Sequence, residues 1–178
     1  MVPDGMPPPA LIDTARLRID PLSPLADAAF ILELLNQASF LRYIGDRGVR
    51  TLEQAQRYIE DGPVLSYRQH GFGLWRVALK DGGRAIGLCG LLKRDSLPDV
   101  DLGFAFLPDW WSQGYAFEAA AAVMEHARRV LGLRRIVAIT AVDNAASARL
   151  LQKLGFVFEQ LLELRPGEAP VKLFGAAV

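Results

Sequence analysis

The stretch LPDWWSQGYAFEAAAAVMEHARRVLGLRRI, residues 107–136, decides the fold. It begins at the end of a predicted strand and continues through a proline and an aromatic pair. It then becomes an Ala-rich helix over about residues 114–131. Gly132 is the expected C-terminal stop of that helix, and residues 134–142 form the next apolar strand. A strand, a long helix and another strand predict a right-handed crossover between parallel strands in a mainly antiparallel sheet.

Alternation of apolar residues and turn signals place the other elements. The predicted strands lie at residues 15–22, 72–80, 84–94, 99–107, 156–164 and 171–178. Predicted helices lie at residues 24–37, from residue 51 to about residue 61, and at residues 144–154, and residues 64–71 add a further turn or two. The resulting fold class is mixed α/β (α+β), with one central sheet.

Helix boundaries follow from capping chemistry. Ser23 and Pro24 have the character of an N-cap and a first helical residue. Thr51 and Gln54 have capping-box spacing, which starts a second helix. The pair Gly62–Pro63 is expected to break that second helix.

Length and charge limit the class of protein. The 178 residues suit a single domain over residues 11–178, after a Pro-rich tail at residues 1–10 that we expect to be flexible. Lys plus Arg equals Asp plus Glu at 20 each, so no basic surplus indicates nucleic-acid binding. The sequence has no apolar run long enough to span a membrane and no secretory signal. Its single cysteine, Cys89, is consistent with a cytoplasmic protein.

The strand before the Ala-rich helix has one bulky face and one bare face. Asp101, Gly103 and Ala105 alternate with the bulky side chains, so a ligand or another backbone can approach the bare side. Gly114 and Ala116 then open the helix, where free N–H groups and a partial positive charge favour a phosphate or pyrophosphate. A plain strand-to-helix turn would also explain these small residues.

A second candidate site begins the last helix. Asn144 and Ser147 are three residues apart and share one side of it. An asparagine can hold an amide-bearing ligand and a serine can donate a proton. Capping of the helix by Asp143 or Asn144 is the alternative explanation, and it does not exclude a ligand contact.

Together these stretches resemble the GNAT superfamily of acetyl-CoA-dependent N-acetyltransferases, in particular its RimJ/RimL-like branch of ribosomal-protein N-terminal acetyltransferases. The family's pyrophosphate loop is Gln/Arg-x-x-Gly-x-Gly/Ala. The later motif of the branch, N-x-x-S followed by L-G-F, matches Asn144, Ser147 and residues 154–156. The opening TARLRIDPL and the segment GVRTLEQAQRYIED also read like this branch, so the resemblance covers about residues 11–175. The loop positions are occupied by Trp111, Ser112, Gln113, Gly114, Tyr115 and Ala116, with Trp111 in place of Gln/Arg.

The resemblance implies how these residues act on acetyl-CoA as co-substrate. The bare-faced strand would separate from the next parallel strand, and the pantetheine arm would lie in the gap against backbone groups of Phe104, Ala105 and Phe106. Asn144 would hold that arm. Many family members protonate the departing thiolate with a Tyr downstream on the last helix, but no Tyr follows Asn144 here, so Ser147 is the candidate proton donor. Asp101 is the candidate base, acting through water.

The expected activity is transfer of an acetyl group to a primary amine, which is a protein N-terminus or a small molecule. A non-catalytic CoA-binding or sensory module is the alternative. No metal site is expected, because the two histidines lack partners at ligand spacing. We also expect His126 on the exposed side of its helix, Cys89 in the core, and Trp75 in the core or in a pocket wall. The expected partners exclude nucleic acid and membrane, and the chain is expected to be a monomer or a homodimer.

Overall fold

A computed structural model describes residues 12–178, and the predicted tail at residues 1–10 lies outside them. The strands are β1 (Ile12–Asp13), β2 (Leu17–Asp20), β3 (Leu74–Leu79), β4 (Ala85–Leu92), β5 (Asp101–Phe106), β6 (Arg135–Ala141), β7 (Val157–Leu162) and β8 (Val171–Ala177). The α-helices are α1 (Ala28–Leu35), α2 (Ala38–Tyr43), α3 (Leu52–Ile59), α4 (Leu65–His70), α5 (Tyr115–Arg129) and α6 (Ala145–Lys153).

The strands form one sheet in the order β1-β2-β3-β4-β5-β6-β8-β7. Within residues 12–178, only β5 and β6 are parallel neighbours, and α5 makes the crossover between them. All other neighbours pair antiparallel. The predicted mixed, mostly antiparallel sheet and the closing hairpin of β7 and β8 are therefore confirmed.

Helices cover both faces of the sheet because the residues of β5 alternate between two cores. Leu102 and Phe106 pack with the small residues of α5, including Ala119 and Val123, and with Leu151 of α6. Ala105 packs on the other side with buried residues of α1 and α3. Side chains that alternate along a strand point to opposite faces, so α5 and α6 lie on one face and α1 and α3 on the other.

The start of the first helix differs from the prediction. Ser23 accepts a hydrogen bond from the Ala26 N–H at 3.3 Å, but it caps only one isolated turn. The helix itself begins at Ala28, after Asp27, whose buried carboxylate accepts from the Ser23 N–H at 2.7 Å. The Asp27 side chain thus holds the chain in that turn before α1 starts.

The predicted break at Gly62–Pro63 was also wrong. Thr51 and Gln54 form the predicted capping box, but the chain then stays helical from α3 into α4 through a π-helical turn at Glu60–Val64. Leu65 N–H reaches back to the carbonyl of Glu60, five residues earlier. The wider turn makes room for Pro63, which lacks an N–H and would crowd an ordinary α-helix.

His126 is buried rather than exposed, which corrects the prediction. Its side chain lies on the inner stripe of α5, three residues after Val123 and seven after Ala119. The ring meets the edge of Trp75 at a centroid distance of 5.4 Å. Trp75 and Cys89 are fully buried in the same core, as expected for Cys89. Of the two predicted positions, Trp75 therefore occupies the core and not a pocket wall.

Burial lowers the pKa of His126 below its ordinary value of 6.5. The unfolded chain therefore binds a proton first as the pH falls, so the contribution of His126 to stability is present above about pH 6.5 and is lost below it. We expect the difference in unfolding free energy between the wild type and His126→Gln to shrink between pH 7.5 and pH 5. Urea unfolding at several pH values measures it, and a difference independent of pH would contradict the burial argument.

Candidate active site

A gap opens between β5 and β6. The two strands pair at a single position, Asp101 with Val137. There the Val137 N–H donates to the Val100 carbonyl at 3.0 Å. Beyond that position, toward the carboxyl ends of both strands, the ladder between them stops. The sheet is therefore splayed, as predicted, and it leaves backbone groups of both strands without a neighbouring strand.

Backbone direction determines which groups of β5 face the gap. Leu107 N–H donates to the Ile86 carbonyl at 2.9 Å, so Leu107 and, two residues earlier, Ala105 direct their backbone groups toward β4. Because these directions alternate along a strand, Phe104 and Phe106 direct theirs into the gap. The structure thus separates the three predicted residues: the backbone groups of Phe104 and the Phe106 N–H face the gap, whereas the backbone groups of Ala105 pair with β4.

The loop after β5 is shaped to bind an anion. A 3₁₀ turn at Pro108–Trp110 leads to Ser112 at φ 60° and Gly114 at φ 83°, both in the left-handed region. Among residues 12–178, the backbone N–H groups of Ser112 and of residues 114–117 have no hydrogen-bond acceptor. Left-handed residues that turn successive N–H groups to one side, next to a helix N-terminus, form an anion-binding concavity. This loop therefore fits a pyrophosphate, and Gln113, Tyr115 and Ala116 all lie in it.

The two tryptophans fix this loop to the sheet. Trp111 donates its indole N–H to the Phe106 carbonyl at 2.8 Å, so it closes the end of the gap. Trp110 packs edge-on against Tyr115, with ring centroids 6.2 Å apart. Gln113 reinforces the turn by donating to the Asp109 carbonyl at 3.1 Å. The aromatic pair thus anchors the loop through contacts that a simple turn would lack.

Asn144 and Ser147 stand at the same edge of the sheet as the anion loop, because β5 and β6 are parallel and their carboxyl ends coincide. The Asn144 side chain accepts from the Ser147 N–H at 3.2 Å, so Asn144 is the N-cap of α6. Within the described part of the chain, the Ser147 hydroxyl has no hydrogen-bond partner and is half-buried. Capping by Asn144 therefore leaves the Ser147 hydroxyl available.

Asp101 lies apart from this edge, at the amino end of β5. About 16 Å of extended strand separates it from Phe106. Its side chain is 1% exposed, and its carboxylate accepts from Arg94 Nε at 3.3 and 3.2 Å. Burial raises the pKa of the Asp101 carboxyl above its ordinary value, although Arg94 acts in the opposite direction. The structure thus groups Ser147 and Asn144 with the anion loop, and Asp101 with Arg94 instead.

Comparison with known proteins decides the family. The model of the acetyltransferase (GNAT) domain matches residues 16–157. The chain belongs to the GNAT acetyltransferase family. It is accordingly an N-acetyltransferase, and acetyl-CoA is its co-substrate. This assignment favours an enzyme over the non-catalytic module.

Two relatives from Bacillus subtilis illustrate the similarity. The chain is 29% identical to the uncharacterized N-acetyltransferase YoaA over 153 residues, 85% of each chain. It is 30% identical to the uncharacterized N-acetyltransferase YjdG over 155 residues, which cover 83% of this chain and 89% of that one. These GNAT relatives span most of the chain, so the similarity is not confined to the loop motif.

The fold is also that of RimL, the ribosomal L7/L12 α-N-protein acetyltransferase, whose structure was solved in complex with coenzyme A. The TM-score is 0.81 at 16% identity, over 95% of this chain and 98% of RimL. The likeness concerns the fold, and it agrees with the RimJ/RimL-like motifs of the sequence.

Two site residues escaped the sequence analysis. Arg16, in the turn between β1 and β2, donates from Nη1 to the Gln113 carbonyl of the anion loop at 3.0 Å. Its Nε donates to Glu118, in the first turn of α5, at 2.7 Å. Because Arg16 and Glu118 are 102 residues apart, local spacing carries no signal for this contact.

Neither a membrane-spanning helix nor a cluster of metal-ligating side chains is found among residues 12–178. No helix in this range is both long and apolar enough to cross a membrane. The same residues contain no group of three or more His, Cys, Asp or Glu side chains that could hold a metal ion.

Gly114 provides a test of the loop. A side chain there would be strained at φ 83°, and its Cβ would lie 3.2 Å from Arg16 Nη2, beside the N–H groups. We expect Gly114→Asn to lose most of the rise in melting temperature that acetyl-CoA causes by binding the folded form. Asparagine is suitable because it tolerates the left-handed region better than other side chains.

Gly132→Asn is the matched control, because Gly132 also has a positive φ, 67°, with nothing within 4 Å of an added Cβ. It should carry a similar backbone strain and keep the full thermal shift. Equal shifts in Gly114→Asn and the wild type would mean that the co-substrate binds elsewhere.

Proposed function

We propose that this chain acetylates a primary amine at the β5–β6 gap, with a protein N-terminus or a small-molecule amine as acceptor. The observation that carries the proposal is the continuity of the site. Backbone groups of Phe104 and Phe106 line a gap in the sheet, and the anion loop with its free N–H groups closes one end of it. An extended molecule with an acyl group at one end and phosphates at the other matches such a site.

Acetyl-CoA supplies an acetyl group activated as a thioester. The N–H groups of Ser112 and of residues 114–117 bind its phosphates, and this places the acyl end in the gap. A gap-facing N–H of Phe104 or Phe106 polarises the thioester carbonyl, because preorganised donors stabilise a developing oxyanion. Ser147 donates a proton to the sulfur that departs. Holding the two reactants in place supplies much of the remaining rate.

Asp101 is the candidate base for the acceptor amine; because it lies at the amino end of β5, the proton would reach it through a chain of water molecules. Its raised pKa supports this role, because a carboxyl in water is too weak a base near neutral pH. Asp101 points to the face of the sheet that carries α1 and α3, since it alternates with Leu102 of the opposite core. The amine therefore approaches from that face.

The acceptor binds against the helices before β3. The exposed ion pair of Arg42 and Asp143, at 3.1 Å, joins α2 to the residue next to Asn144, so α2 borders the mouth of the gap. RimL is described as an α-N-protein acetyltransferase, which supports a protein N-terminus as the first acceptor to test. The buried free thiol of Cys89 is consistent with a reaction in the cytoplasm.

A thiol-release assay with a panel of amines tests the function. The panel contains a peptide with a free N-terminus, the same peptide with a blocked N-terminus, a polyamine, an amino sugar and a free amino acid. We expect release of CoA with the free peptide or with one of the small amines, and none with the blocked peptide. Binding of CoA without turnover on any amine would support the non-catalytic module instead.

The role of Ser147 is tested by Ser147→Ala. The substitution keeps the N–H that Asn144 caps, so the start of α6 should be unaffected. General-acid assistance is worth about 10²–10⁴-fold, and the low end applies because coenzyme A is a good leaving group. We expect kcat to fall by about 10²-fold with little change in acetyl-CoA affinity. An unchanged kcat under conditions where chemistry limits the rate would assign protonation to solvent.

The role of Asp101 is tested through its neighbour. Arg94 lowers the pKa of Asp101, so Arg94→Gln should raise it. A base must be unprotonated, so the acidic limb of the kcat/KM profile should move to higher pH. Arg68→Gln, which removes an exposed arginine paired with Glu60, is the control and should leave the profile in place. A profile unmoved by Arg94→Gln would exclude Asp101 as the base.

A further inference from the structure

The turn between β1 and β2 is fastened to the first turn of α5 by one carboxylate. Glu118 Oε1 accepts from the Thr14 hydroxyl at 2.7 Å and from the Arg16 N–H at 2.8 Å, and Oε2 accepts from Arg16 Nε at 2.7 Å. Burial raises the pKa of Glu118, but these hydrogen bonds outweigh it and the pKa lies below its ordinary value. Glu118 is therefore charged at neutral pH.

That charge stands close to the place where the loop would hold an anion. Glu118 N–H donates to the Gly114 carbonyl at 3.0 Å, so Glu118 lies one helical turn from the left-handed glycine of the loop. A carboxylate there repels a phosphate group and reduces the attraction of the helix N-terminus for it. Something must offset the charge if the loop is to bind a phosphate.

Arg16 is placed to offset it. The guanidinium pairs with Glu118 through Nε and with the Gln113 carbonyl through Nη1, and its carbon lies 4.2 Å from the centroid of the Tyr115 ring. Nη2 has no acceptor among residues 12–178, and it lies 3.2 Å from where a Cβ on Gly114 would be. Arg16 thus cancels one charge and presents a free donor beside the loop.

We propose that Arg16, held by Glu118, completes the phosphate site: it neutralises Glu118 and donates from Nη2 to the pyrophosphate of the acetyl donor. The inference rests on the proposed acetyl-CoA site and adds the N-terminal hairpin to it. Arg16 is a binding residue in this role, and Glu118 and Thr14 are positioning residues, because they act by fixing the guanidinium.

Affinity for CoA, measured by titration calorimetry well below the unfolding temperature, tests the inference. A hydrogen bond to a charged group is worth enough that Arg16→Gln should raise Kd about tenfold or more. Arg16→Lys should give an intermediate Kd, because it keeps the charge beside Glu118 but loses the fork of donors. Arg18→Gln is the matched control: Arg18 is two residues further on and, among residues 12–178, its one ion pair is with Asp13, at 3.5 Å, so the Kd of this variant should not change.

A double variant distinguishes an electrostatic role of Arg16 from a purely structural one. If Arg16 acts by offsetting Glu118, then adding Glu118→Gln to Arg16→Gln should recover part of the lost affinity. If the pair only holds the hairpin in place, the double variant should bind no better than Arg16→Gln, and that result would overturn the charge argument. Melting temperatures of all variants report the structural contribution separately, because a purely structural pair would lower them without changing Kd.

The phosphate involved is identified with 3′-dephospho-CoA. The increase in Kd caused by Arg16→Gln should persist with this ligand, since Arg16 lies beside Gly114 of the pyrophosphate loop. An increase that disappears would overturn the assignment to the pyrophosphate. Equal Kd values for Arg16→Gln, Arg16→Lys and Arg18→Gln would overturn the inference as a whole. Failure of the wild type to bind CoA at all would instead refute the underlying co-substrate site.

Discussion

The structure depends on where β5 and β6 stop pairing. One parallel contact, from Val137 N–H to the Val100 carbonyl, joins the two halves of the sheet, and the strands then diverge. Unpaired backbone groups within a sheet are costly unless water or a ligand satisfies them. The fold keeps such groups at Phe104 and at the Phe106 N–H, and in the proposed function an extended polar molecule takes the place of the missing ladder. Ordinary core packing on both faces keeps the divergent strands in position.

The anion loop follows from the same divergence. Because β5 leaves the sheet beside its parallel neighbour, the helix that crosses over must begin at the edge of the gap. Its first N–H groups are therefore exposed toward whatever lies there. Ser112 and Gly114 turn further N–H groups in the same direction by adopting positive φ. Positioning and electrostatics are thus built largely from the backbone, which explains why Trp111 can stand where the family loop has Gln or Arg.

Local chemistry made much of this predictable from sequence. Three features depend only on residues close together in sequence, and each appears in the structure where it was expected. They are the alternation of side chains along β5, the capping box at Thr51, and the small residues Gly114 and Ala116 at the start of α5. The resemblance to the GNAT family predicted that β5 and β6 separate, and it predicted the order of the motifs along the chain. The roles proposed for Ser147 and Asp101 depend on how the co-substrate binds, which the pattern of strands and helices does not specify.

The errors arose where tertiary contacts override local preference. Pro63 should end a helix, but the π-helical turn accommodates it and its buried ring favours continuation. His126 lies on the inner stripe of α5 by its spacing from Ala119 and Val123, and that periodicity could have outweighed its polarity. Arg16 had no such signal, because only the folded sheet brings it to Glu118.

The hydrogen bonds between the β1–β2 hairpin and α5 also bear on the order in which the protein folds. Residues 14–16 leave the ribosome about a hundred residues before Glu118, so the hairpin must wait for the crossover helix before its polar groups find their partners. Contacts of such high sequence separation close a long loop, which costs conformational entropy. In the proposed phosphate site, Arg16 reaches the anion loop only once the hairpin and α5 have come together.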